Sequence, residues 1–95
     1  MFREENVRRG MALLDERSPG WRQEIEVEFI NVESPIDCPL GQVYNTYYNG
    51  LRELGLSVEE SVACGFSLYD VVYDLQMYPI YAEQMNFTWK GLLRV

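Results

Sequence analysis

The chain is expected to fold as an all-α, compact single-domain bundle of four to five short helices, with an extended segment near residues 25–32. Apolar residues recur at spacings of three and four along most of the sequence. Helix-starting residues precede several of those stretches, and glycine or proline follows them. At 95 residues there is room for one core and no second one, so residues 1–95 read as a single helical domain.

Residues 3–16 predict the first helix. Val7, Met11 and Leu14 set the inward stripe, Ala12 and Leu13 widen it, and Glu4–Arg8 and Glu5–Arg9 are i,i+4 pairs in the favourable order. Ser18-Pro19-Gly20 stops it, and Trp21 is expected to pack back over it. In 21–33, Ile25, Val27 and Phe29 alternate with Glu24, Glu26 and Glu28, a half-buried strand pattern. No second segment alternates as cleanly to pair with it, which favours a short helical turn after Trp21 and then an extended stretch.

The clearest helix follows Ser34-Pro35-Ile36-Asp37-Cys38-Pro39, with Asp37 or Cys38 as cap and Pro39 in the first turn. Leu40, Val43, Tyr44, Tyr47, Leu51 and Leu54 form one continuous stripe, closed by Gly55. Gly41 and Gly50 lie inside this helix, and Gly50 is expected to admit another helix closely. Ser57-Val58-Glu59-Glu60 has capping-box spacing and opens a short helix ending at Gly65. Ser67-Leu68-Tyr69-Asp70 predicts a further helix through Leu75. Pro79 interrupts or restarts it, and a last helix runs through Tyr81, Met85, Trp89 and Leu92.

Charge narrows the function. The net charge is −7, and residues 23–83 hold eleven acids against the single Arg52. A nucleic-acid binder needs the opposite sign, so no direct nucleic-acid contact is expected. An acidic middle can instead steer a basic partner surface, or it can simply keep a small domain soluble. The longest apolar runs are a few residues, so no membrane span is expected, and the polar, acidic start does not read as a signal peptide. These features predict a cytoplasmic protein. Without histidine, and with two cysteines 26 positions apart, most metal-site and triad chemistry is excluded, and no cofactor is expected.

The stretches Leu13-Leu14-Asp15-Glu16, Pro19-Gly20-Trp21, Cys38-Pro39-Leu40-Gly41-Gln42-Val43-Tyr44, Tyr47, Gly50, Leu54-Gly55-Leu56 and Gly65-Phe66 form a spaced pattern. In them the chain resembles a family of short uncharacterised proteins of actinobacteria and their bacteriophages. The resemblance covers about residues 10–66 and fades beyond Phe66 to Tyr81 and Trp89. It transfers no activity. It implies a bacterial host cytoplasm and a phage or prophage setting.

Each chemically suggestive residue has a plainer explanation. Cys38 precedes a helix whose amides could lower a thiol pKa, yet no histidine can serve as base, and a buried free cysteine is the commoner case. A Cys38–Cys64 disulfide is unexpected in a reducing cytoplasm. Gln42 is expected to brace the Cys38 loop. Asp70 and Asp74 share a helix face but lack the dense oxygen spacing of a cation loop, so a solvated face is expected. All seven tyrosines fall between 44 and 81. Tyr48 is expected to share an exposed face with Asn45 and Arg52, and Tyr69 aligns with Tyr73. Tyrosine and arginine are enriched at interfaces, so the candidate interface is Tyr48, Arg52, Tyr69, Tyr73, Asp70 and Asp74. The expected function is a small acidic protein-interaction module that binds and modulates a bacterial host protein. The alternative is a self-associating accessory homodimer in which Gly41 and Gly50 allow close packing across a two-fold axis. An enzyme is not expected.

Overall fold

The structure is a computed structural model describing residues 4–68 and 78–94. Among these residues the elements are α1 (Glu4–Arg17), α2 (Trp21–Glu24), a 3-10 turn (Val27–Phe29), α3 (Pro39–Tyr44), α4 (Tyr47–Leu54), α5 (Val58–Ala63) and α6 (Tyr78–Leu93). The all-α class holds, and no strand forms among the described residues. The helix expected from Ser67 to Leu75 lies outside them from Tyr69 onward. Pro79 lies within α6, next to the first described residue of that helix.

α1 buries Val7, Met11 and Leu14, with Gly10 completing the inward stripe; Ala12, expected to widen it, is exposed. Arg8 bonds Glu4 at 2.9 Å, while Arg9 reaches out to donate to the carbonyl of Ala63 at the end of α5. After the stop at Ser18, Gly20 at φ 88° turns the chain and Trp21 folds inward, 1% exposed. Its Nε1 donates to Asp15 at 2.8 Å, and Arg22 bonds the same carboxylate while lying over the Trp21 ring. The Arg22 and Trp21 donors hold the Asp15 carboxyl below its ordinary range.

The alternating segment departs from the strand expectation. Ile25 is extended and buried, but the chain then closes the 3-10 turn. The turn breaks the period of two, so Phe29, which alternation would bury, stands outside and Ile30 takes the inward place. The expected single helix from Pro39 to Leu54 is two helices. Asn45 at φ 78° breaks it, and Thr46 caps α4 by accepting from the Asn49 N–H at 3.0 Å. This lets α4 turn back on α3, so Gly50 rests against Leu40, where a Cβ would lie 2.8 Å from that side chain. Gly41 backs onto Pro35 and Ile36. Both glycines therefore serve close approaches within the chain, which corrects the reading of them as a two-fold contact.

The capping box of α5 is complete, Ser57 and Glu60 exchanging bonds at 3.1 and 3.0 Å. Both α4 and α5 end in the same way. Gly55 and Gly65 take left-handed φ, and the following Leu56 and Phe66 donate back to Leu51 and Ser61. Phe66 thereby enters the core and stacks on Trp89 at 5.7 Å, and Trp21 meets Trp89 edge-on at 6.3 Å. Trp89 is fully buried, with its Nε1 donating to the Gly65 carbonyl at 2.7 Å. This trio joins α2, the α5 terminus and α6 into one core.

Candidate interaction surface

α3 is the anchor of the candidate surface. Cys38 is its N-cap, the sulfur accepting the Gly41 N–H at 3.3 Å, and Pro39 opens the first turn. This orients Gln42 toward two loops at once. Its amide nitrogen donates to the carbonyls of Asp37 (3.0 Å) and Glu26 (3.3 Å), and its oxygen accepts the Glu26 N–H at 2.6 Å. The brace expected of Gln42 is present, and it ties residue 26 to the Cys38 loop as well. The loop is further fixed by Ser34 Oγ, which accepts from Ile36 and Asp37, and by Tyr47, whose N–H donates to Pro35.

Gln42 lines an open depression together with Glu24, Glu26, Phe29 and Asp37. The three carboxylates are exposed, and Phe29 is 64% exposed among them. Glu28, the third member of the acidic alternation, turns away to bond Arg94 at 2.6 Å. Among the described residues no three histidine, cysteine or acidic side chains converge to hold a metal ion. What remains is a negatively charged recess with one apolar ring, suited to a cationic side chain. Replacing Gln42 with alanine removes all three bonds of the brace. A loss of about 1–2 kcal/mol, read as a fall in Tm, is expected, together with faster amide exchange at Glu26.

Cys38 and Cys64 are both buried free thiols, and burial pushes each thiol pKa up. The helix amides that could have made Cys38 reactive are engaged in a capping bond inside the core, where desolvation outweighs them.

Of the predicted interface, Tyr48 and Arg52 are exposed one turn apart on α4. Asn45 is not on their face, because it lies in the break before α4. Tyr48 is 66% exposed and meets Tyr47 edge-on. Tyr47 and Tyr44 are half-buried, bonded through their hydroxyls to Ser61 and Ser18. Tyr69, Asp70, Tyr73 and Asp74 lie outside the described residues. Sequence reasoning missed Phe29, Ile80 and Phe87 as exposed apolar groups. For the α6 pair the signal was there: the inward spacing of Met85 and Trp89 places Ile80 and Phe87 on the opposite side.

The chain matches no family model, no curated protein and no solved structure. Among the described residues no helix is long and apolar enough to cross a membrane.

Proposed function

We propose that this chain is a small, non-catalytic interaction module that binds a bacterial protein in the cytoplasm and modulates it, in a phage or prophage setting. The reading rests on the recess formed by Glu24, Glu26, Phe29, Asp37 and Gln42. An exposed aromatic ring ringed by carboxylates offers a basic partner both halves of a hot spot. An arginine or lysine side chain can lie on the Phe29 face while its charged head meets Glu24, Glu26 or Asp37. The acidic middle of the chain adds long-range attraction for such a partner and speeds its encounter. The motif Cys38-Pro39-Leu40-Gly41-Gln42 supports the same surface: Cys38 caps α3, Pro39 opens it, Gly41 backs onto Pro35 and Ile36, and Gln42 braces Glu26 and Asp37.

The test is a pull-down from bacterial lysate at low and high salt with the native chain and with a Glu24→Lys, Glu26→Lys, Phe29→Ser variant. A protein held by the native chain, weakened by salt and lost from the variant is the expected result. Recovery of the same proteins by both baits overturns the reading. The substitutions fall on exposed side chains, so unchanged circular dichroism establishes that the fold is retained.

A further inference from the structure

A second surface lies on α6. α6 buries Ala82, Met85 and Trp89, and its opposite face is centred on Phe87. Phe87 is 78% exposed, more than any other large apolar side chain among the described residues, and Ile80 lies two turns before it at 46%. At 100° per residue, Glu83, Gln84, Lys90, Gly91 and Arg94 fall within about 60° of Phe87 on this face. An apolar stripe rimmed by charge on one helix is the form of a helix–helix contact.

The order of the charges says which helix fits. Glu83 lies one turn before Phe87, and Lys90 lies one turn after it. Among the described residues neither makes an ion pair within the chain, whereas Arg94 is engaged with Glu28. A helix of the same sequence laid parallel would set Glu83 against Glu83 and Lys90 against Lys90. Laid antiparallel about a two-fold axis at Phe87, it sets Glu83 of each chain beside Lys90 of the other, twice, and brings the two Phe87 rings together. Of the two orientations, only the antiparallel one sets these opposite charges beside each other.

We propose that the occupant of this face is a second copy of the chain, joined through an antiparallel α6–α6 contact centred on Phe87, with Glu83 and Lys90 paired across the axis. The resulting homodimer does not use Gly41 or Gly50. Each protomer brings its own acidic recess, whose lining residues fall between 24 and 42 and none of which is on α6. A dimer of this form is bivalent toward any partner with repeated basic sites.

Sedimentation equilibrium across a concentration series tests it. The native chain is expected to move from monomer to twice its 11.2 kDa mass. Phe87→Asp should remain monomeric with an unchanged circular dichroism spectrum, its side chain being exposed. Glu83→Lys and Lys90→Glu should each weaken association by roughly tenfold, since each places like charges across the axis. The double exchange should restore it. A native chain that stays monomeric throughout overturns the proposal, as does a dimer indifferent to Phe87→Asp. A double exchange no better than the single ones overturns the antiparallel arrangement.

Discussion

Trp89→Ala is expected to cost about 3–5 kcal/mol, a large share of the 5–15 kcal/mol that holds a domain of this size together. Three losses coincide at this one side chain. Its fully buried ring leaves a cavity between α6, α2 and the end of α5. The stack on Phe66 and the edge contact with Trp21 disappear together. The Gly65 carbonyl also loses the donor that reaches it at 2.7 Å. Trp89→Phe separates these causes. It keeps most of the apolar volume but leaves the Gly65 carbonyl without that donor, a penalty of about 1–3 kcal/mol. Urea titration of both variants measures the two contributions. Equal losses would mean that the hydrogen bond, and not the packing, dominates.

Gly10→Ala should destabilise by about 3 kcal/mol or more, although alanine is the better helix former by roughly 1 kcal/mol. A Cβ at Gly10 would enter the space of the Cys64 carbonyl oxygen, and its next neighbours are the Cys64 carbonyl carbon and the Phe66 ring, both at 3.1 Å. The carbonyl cannot swing aside, because Cys64 closes α5 and Gly65 beyond it is held in left-handed φ. The strain must therefore push α1 away from α5. Gly91→Ala, in the exposed part of α6 with nothing near its Cβ, should instead stabilise by about 0.5–1 kcal/mol. The same chemical change is thus predicted to act with opposite signs at two helical glycines, and thermal denaturation of the pair checks both.

The fold was legible wherever a short-range signal decides local structure. The capping box at Ser57, the stop at Ser18-Pro19-Gly20, the Cys38 cap with Pro39 behind it and the Gly55 and Gly65 terminations are all local events, and each stands where its residues predict. The departures arose where tertiary contact overrides periodicity. Leu40 through Leu54 keeps helical spacing across Asn45, but packing α4 onto α3 requires a break that spacing cannot reveal. Ile25, Val27 and Phe29 alternate as a strand does, yet the Glu26 backbone is bonded to Gln42, sixteen residues away, and the chain coils into a 3-10 turn. That turn is what exposes Phe29. The recess was therefore half readable: two of its three carboxylates, Glu24 and Glu26, stood in the acidic alternation, while its aromatic member was assigned to the core. Gln42 was correctly read as a brace, but only the structure identifies Glu26 as its second partner.

The most direct test of the acidic recess is a titration of the 15N-labelled chain with a short arginine-rich peptide, followed by amide chemical shifts at low and at physiological salt. Saturable shifts gathered at residues 24–29 and 37–42, weakened by salt and abolished by Phe29→Ser, are the result predicted. Shifts spread along the chain according to local acidity, with Phe29→Ser indistinguishable from the native chain, would contradict it.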